Sequence, residues 1–378
     1  MGDAGMWKDK GAPSRFAWER SSMISVIIIN YHSARLASRA VESVRKDEKN
    51  IEVIVVDNTA TDEERAELRA SLEMKGVTLI LNERNEGFAR ACNQAFSCSE
   101  EEFLFLINPD AYAVSPCISV LRNFLEGNPK VGAVSPQVFW DKDMSYHFPL
   151  YPVFSPSREL VSRFTGFSPL FRRFFSLNER RKNLKLWRST LPVKVKNLSG
   201  GTVMVRRSSI KRSGGLFDER FFLFYEDTDL FLRLRKSGYR LFILPTAKAV
   251  HNHCHGNEKL AVMAQTRHLY IDKHYKKIPF MRASSALSQY RGTDRCVDHG
   301  GYDSPPVFPI PRDLEKGYLF EWSPSPLFVP SVGCFGEGKT FAISEEVWNL
   351  FDRGVYYSRV SSLSEFFAHA KTYCWTKN

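Results

Sequence analysis

Three acidic or imidazole-bearing stretches carry residues able to do chemistry. Phe224-Tyr225-Glu226-Asp227-Thr228-Asp229-Leu230 places three carboxylates within four residues. Such a run suits an acid-rich first helical turn, favoured by the helix dipole. It also suits a general base, because a carboxylate crowded by like charge and aromatic rings tends toward a raised pKa. Asn108-Pro109-Asp110 is a turn sequence, and equally a place where one carboxylate projects to hold Mg²⁺ or Mn²⁺ against a diphosphate. His251, His253 and His255 alternate just after an apolar run, so on an extended backbone they share one face. A three-histidine zinc site, a single histidine completing an oxygen-rich metal site, and plain surface histidines all fit that spacing.

Two further stretches suit a nucleotide. Asp57-Asn58-Thr59 ends an apolar run, and a carboxylate there accepts the imino N–H of a pyrimidine or simply caps a turn. Asn85-Glu86-Gly87-Phe88-Ala89 opens a helical pattern. Gly87 permits close backbone approach, the helix N-terminus suits a diphosphate, and Asn93 lies two turns in; an ordinary β-to-α turn explains the same residues.

The elements that must position these residues follow from periodicity. Short β-branched runs at 24–29, 51–56, 77–81 and 103–107 alternate with helical patterns at 34–46, 62–75, 88–97 and 116–127. That alternation predicts βαβ units and a mostly parallel sheet, with ligands beyond the carboxyl ends of the strands. Every stretch named so far except the acidic one directly follows a predicted strand. A helix begins near Asp227 and ends at Gly238, 239–244 is a strand, and 257–276 is a further helix.

The pattern breaks at about 140–196, a stretch rich in Pro, Phe and Arg. Residues 151–196 hold eleven Lys and Arg against Glu159 and Glu179, and so supply most of the net charge of +11. A field so localised implies an anionic partner. Phe164, Phe167, Phe171, Phe174 and Phe175 among those cations suit an interfacial helix on anionic lipid, or a solvated loop. Four parts are expected: an extension at 1–22, a domain at 23–279 with a basic insertion at about 145–196, a linker at 280–310, and a C-terminal accessory module at 311–378. In that module Trp322, Phe328, Phe335, Trp348, Tyr356 and Tyr357 form a core or a sugar-stacking face.

Composition narrows the field. No apolar run approaches the roughly 20 residues that span a bilayer, and residues 1–22 lack the apolar core of a signal peptide. The seven cysteines are widely spaced without a CxxC pair, which predicts free thiols in a reducing cytoplasm. No GxGxxG follows the first strand and no GxxxxGK[ST] occurs, which disfavours dinucleotide dehydrogenases and P-loop enzymes. Charge alone suggests a nucleic-acid binder, but no recognisable motif supports one, and none is expected as partner.

Taken together, the chain resembles the family 2 glycosyltransferases of GT-A fold, especially their rhamnosyltransferase-like branch. The resemblance rests on Ser25-Val26-Ile27-Ile28-Ile29-Asn30-Tyr31, Val55-Val56-Asp57-Asn58 and Asn85-Glu86-Gly87-Phe88-Ala89 with Asn93. It continues in Phe105-Leu106-Ile107-Asn108-Pro109-Asp110, Leu198-Ser199-Gly200-Gly201, Gly215-Leu216-Phe217-Asp218-Glu219, the acidic stretch, and Pro245 to His251. It implies an α/β fold, a Rossmann-like mixed sheet flanked by helices, with the small C-terminal module appended. It also implies an inverting transfer of a hexose such as rhamnose from a UDP- or dTDP-sugar to a glycan or lipid-linked acceptor, in cell-surface polysaccharide synthesis. Such an enzyme is cytoplasmic, at most peripheral on the inner face of an anionic plasma membrane. Asp57 would read the base, and Asn30, Tyr31 and Asn58 would line the nucleoside pocket. Asn85, Gly87 and Asn93 would lie along ribose and diphosphate. Asp110 and His251 would bind a divalent Mg²⁺ or Mn²⁺, with Asn108 replacing the first carboxylate of the usual Asp-x-Asp. Gly200 and Gly201 would pass close to the donor sugar. Asp227 would be the base, with Glu226 and Asp229 orienting the site. A non-catalytic nucleotide-sugar or carbohydrate-binding protein on the same fold is the alternative.

Overall fold

The computed structural model describes residues 24–73, 75–165, 168–252, 259–282, 296–364 and 371–378. The extension expected at 1–22, and His253, His255 and Phe167, lie outside them. The chain begins β1 (Ile24–Asn30), α1 (Ala34–Asp47), β2 (Glu52–Asp57), α2 (Asp62–Leu72), β3 (Thr78–Leu81), α3 (Phe88–Cys98) and β4 (Phe103–Ile107). It continues β5 (Ala111–Val114), α4 (Cys117–Gly127), β6 (Val131–Phe139), β7 (Tyr146–His147), α5 (Pro156–Phe164), α6 (Pro169–Trp187), β8 (Val193–Val195) and β9 (Thr202–Arg206). Then come α7 (Arg207–Arg212), α8 (Glu226–Lys236), β10 (Arg240–His251), α9 (Lys259–His274), β11 (Val297–Tyr302), β12 (Val307–Pro309) and β13 (Tyr318–Ser323). The last elements are β14 (Val332–Gly336), β15 (Thr340–Ala342), α10 (Glu345–Trp348), β16 (Gly354–Ser361) and β17 (Lys371–Lys377).

The chain divides into two compact units. The first holds the residues up to Pro136 with Leu191–His251 and Ala261–Leu269; the second holds Gln137–Thr190, Asn252–Leu260 and Tyr270–Asn378. This differs from the expected partition. The basic insertion and the C-terminal residues share one unit, and within the expected linker 297–302 and 307–309 are strands.

In the first unit β3, β2, β1 and β4 pair in that order and all in parallel. Antiparallel β9 and β6 extend the sheet from β4. The first strands read as unbroken apolar runs because both their faces are covered, as parallel sheets require. β1 is buried along its whole length. On one face α1 packs Ala37, Ala40, Val41 and Val44, spaced at three and four residues, against Val26, Ile28, Val53 and Val55. β10 pairs antiparallel with β5 and β8, and its last residue, His251, stands opposite Ala111.

The second unit carries β11–β17–β16–β13–β14–β7, antiparallel apart from β11 with β17. Its core is aromatic: Trp140, Phe308, Phe320, Trp322, Phe341, Trp348, Phe351, Tyr356 and Trp375. The rings of the C-terminal module therefore pack inward, with Phe335 half-buried.

Candidate functional site

The site is built at the carboxyl edge of β1, β2 and β4. Asn30 and Asp57 end neighbouring strands directly opposite each other. Asp57 is fully buried, and its Oδ1 accepts from Asn30 Nδ2 at 2.9 Å and from the Thr59 amide at 3.0 Å. Its Oδ2 accepts no hydrogen bond among the described residues, and Arg65 Nε stands 3.9 Å away. Asn30 does not line a pocket surface as expected. It is fully buried, donating also to Glu64 Oε1 at 3.1 Å and accepting from Ser33 Oγ at 2.9 Å. Its work is to hold Asp57. Tyr31, the next residue, is exposed at the edge. Asn58 donates to the Gly87 carbonyl at 3.1 Å and accepts from Asn82 Nδ2 at 2.8 Å, which ties the β2 loop to the start of α3.

That start differs from a bare anion site. The Gly87 amide donates to Asn85 Oδ1 at 2.9 Å, and the first amide of α3, Phe88 N–H, donates to the Phe222 carbonyl at 2.7 Å. Asn93, expected along the diphosphate, has turned away: it donates to Phe217 O at 2.9 Å and Glu219 Oε1 at 3.2 Å, and accepts from the Phe217 amide. The polar groups of α3 thus fix the 217–222 segment. Gly87 adopts φ +83°, and a Cβ there would fall 2.7 Å from the Phe222 carbonyl oxygen. Gly87→Ala is therefore expected to lower stability by about 1–3 kcal/mol, read as an earlier urea midpoint at unchanged slope.

On the other side of β1, the β4 register (Ile27 opposite Leu106) extends to bring the 108–110 turn level with Asn30. Two strand spacings, roughly 10 Å in all, separate this turn from Asp57. His251 Nε2 lies 3.0 Å from Asp110 Oδ1. Gly201 sits against this pair: its carbonyl accepts from the Asn108 amide at 2.8 Å. A Cβ on Gly201 would meet Asn108 Nδ2 at 2.9 Å and His251 Cε1 at 3.3 Å.

The donor set fits a divalent cation. Two ligands at 2.0–2.1 Å in adjacent octahedral positions stand about 3 Å apart, the separation these two already have. Among the described residues no group of three or more His, Cys, Asp or Glu is placed to hold a metal ion, so protein ligation would rest on this pair.

The acidic stretch reaches the same place through Gly200. Its amide donates to Asp227 Oδ2 at 3.0 Å, while Asp227 Oδ1 accepts from the Thr228 amide at 2.5 Å. Asp110, His251, Gly201, Gly200 and Asp227 thus form one continuous chain of contacts. Burial raises the pKa of Asp227, against the pull of its backbone donors. Glu226, beside it on α8, is almost wholly buried and held well above the ordinary range by burial and by the charge of Asp227. Its Oε2 has no hydrogen-bond partner among the described residues. Asp229 faces away from the site: it is fully buried and accepts from Arg233 Nε at 2.7 Å. Arg233 in turn donates to the carbonyls of Ser213, Gly215 and Leu216, so Asp229 anchors α8 to that turn.

The sequence alone does not single out Arg233, Gln94 and Glu64, which hold Asp229, Asn82 and Asn30 in place. Only Arg233 had a local signal, its i,i+4 spacing from Asp229. Nor does the sequence mark a strained pair: Phe224 and Tyr225 both take left-handed backbone, φ +69° and +66°, just before α8.

Comparison with known proteins gives a consistent picture. The profile described as Glycosyl transferase family 2 matches residues 25–214. An N-acetylglucosaminyl-diphospho-decaprenol L-rhamnosyltransferase of Mycobacterium tuberculosis is 26% identical over 277 residues, 67% of this chain and 86% of the relative. The dTDP-rhamnosyl transferase RfbF of Shigella flexneri is 25% identical over 236 residues, 61% and 69% of the two chains. Among solved structures, the mannosyltransferase PcManGT from Pyrobaculum calidifontis, in complex with GDP-Man and Mn²⁺, aligns with TM-score 0.45 and 19% identity over 70% of this chain and 65% of its own.

Proposed function

The chain belongs to glycosyl transferase family 2 and is a glycosyltransferase, and from that premise we propose that it transfers a hexose, rhamnose in the simplest reading, from a UDP- or dTDP-sugar to a lipid-linked or glycan hydroxyl during cell-surface polysaccharide synthesis. The names of its relatives support the sugar and the lipid-linked acceptor. The reaction would take place at the inner face of the membrane. Among the described residues no helix is long and apolar enough to cross it.

One observation carries the mechanism: the Asp110–His251 pair, 3.0 Å apart, lies beside Gly201, and the neighbouring Gly200 amide holds the half-buried carboxylate of Asp227. Asp57 offers its unpartnered oxygen to the imino N–H of the base, with Asn30 and Thr59 fixing the carboxylate. Asp110 and His251 would hold a divalent cation, which when bound would supply charge neutralisation for the departing nucleoside diphosphate. The glycines keep this corner open to the donor sugar. Asp227 accepts the acceptor's hydroxyl proton as the oxygen attacks the anomeric carbon from the opposite face. A single displacement inverts the anomeric configuration and needs no second catalytic carboxylate. Glu226 and Asp229 hold the first turn of α8 from its buried side.

The direct test is a screen of UDP- and dTDP-sugars with Mn²⁺ or Mg²⁺ for release of nucleoside diphosphate, which proceeds slowly to water without acceptor. Release from one donor is expected, abolished by EDTA and restored by metal. His251→Ala should raise the Mn²⁺ needed for half-maximal release. No release from any donor, with metal present, would overturn the proposal.

A further inference from the structure

The basic segment folds as two antiparallel helices in the second unit. At one end Arg158 pairs with Glu179 at 2.8 Å; at the other the rings of Phe164 and Phe171 stack with centroids 5.3 Å apart. That second end is apolar and open. Leu160 and Phe164 lie one turn apart on α5, and Leu170, Phe171 and Phe174 lie at i, i+1 and i+4 on α6. Their exposures run from 44% to 79%, Leu170 being the most open. A contiguous cluster of five large apolar side chains is unusual for a surface facing only water.

Further along α6 the same stripe changes character. Arg181 and Lys185 follow Phe174 at seven and eleven residues, hence on its side of the helix, and both are exposed, as are Arg173 and Lys182. The two acids of the segment lie elsewhere or on Lys182. Glu159 is buried, and Glu179 is held between Arg158 and Lys182.

We propose that the α5–α6 hairpin docks this protein on an anionic bilayer, its apolar tip entering the acyl boundary while the basic stripe of α6 lies over the headgroups. The order along α6, apolar first and cationic afterwards, matches the depth order of a membrane surface. Charge argues against a second copy as the occupant, because it would bring one basic stripe against another. The docking extends the proposed use of a lipid-linked acceptor and does not depend on it.

The test is flotation of the full-length protein with phosphatidylcholine vesicles, with and without phosphatidylglycerol. Binding is expected only with phosphatidylglycerol and should weaken with salt. Leu170→Ser/Phe174→Ser should weaken it about tenfold or more, from the apolar surface no longer buried. Arg181→Gln/Lys185→Gln should weaken it about fivefold per charge removed. No affinity for anionic vesicles, equal affinity for neutral ones, or flotation of the serine variant as wild type would each overturn the proposal. So would a concentration-dependent dimer lost in the serine variant. Donor hydrolysis without acceptor should be the same in all these variants. A failed flotation therefore leaves the enzymatic reading standing, and a failed donor screen leaves the docking standing.

Discussion

Asp227→Asn should cost roughly 10²–10⁴ in turnover, the usual worth of a positioned general base. The substitution keeps the shape of the side chain and one acceptor for the Gly200 or Thr228 amide, so the fold should lose no more than about one hydrogen bond, ~1 kcal/mol. Measuring turnover and unfolding side by side separates the two effects. Near-full turnover in the variant would remove Asp227 from the role. The pH profile is a second check. Burial raises both Glu226 and Asp227, and two such neighbours titrate as a pair. Turnover should therefore rise with pH through a range above that of an ordinary carboxylate, as the base becomes ionised. Stability runs the other way. A carboxyl whose folded pKa is raised helps the fold fully only below its unfolded pKa, and that help is lost as pH climbs through the folded value.

Glu321→Ala should destabilise the second unit by about 3–5 kcal/mol. Glu321 Oε2 accepts from Arg180 Nε at 3.1 Å and from Arg359 Nε at 3.0 Å, and side-chain exposure in this trio is at most 6%. Removing Glu321 takes from two buried guanidinium groups the carboxylate they share. Arg180 also donates to Ser361 Oγ and to the carbonyls of Ser362 and Ser364, so it fastens α6 to β16 and the turn beyond. An earlier urea midpoint together with faster proteolysis within 169–187 is the expected result. Replacing the whole trio by apolar residues of similar volume should be close to neutral. A single Glu321→Ala within 1 kcal/mol of wild type would show that water or rearrangement already reaches the site.

These two residues were not equally visible beforehand. Asp227 stands in a local acidic run, and its neighbours in sequence announce it. Glu321 sits in the apolar run 318–322, and its partner Arg180 lies 141 positions upstream. No local pattern connects them, which is why the insertion and the C-terminal residues read as separate parts. The βα alternation was legible because strands covered on both faces must be continuously apolar; 24–29 and 103–107 were expected, Ile24–Asn30 and Phe103–Ile107 observed. The α5–α6 pair hid for the opposite reason. The outer stripe of α6 is apolar at its start and basic later, so no amphipathic repeat of 3.6 emerges. At the site, Asp57, Asp110 and His251 stand where type and position put them, at or beside strand ends, and their roles are proposals. Asn30 and Asn93 were misplaced because their partners, Glu64 and Phe217, are contributed from 34 and 124 residues away.

Phe224 and Tyr225 raise a question of sequence drift. Backbone of this handedness costs a side-chain-bearing residue about 1–2 kcal/mol, and glycine adopts it freely. Selection acting on thermodynamics alone would wear both positions down to Gly or Asn. Aromatic rings retained at both places in orthologous enzymes would mean that the acceptor, or the closing of the loop over it, uses the rings themselves.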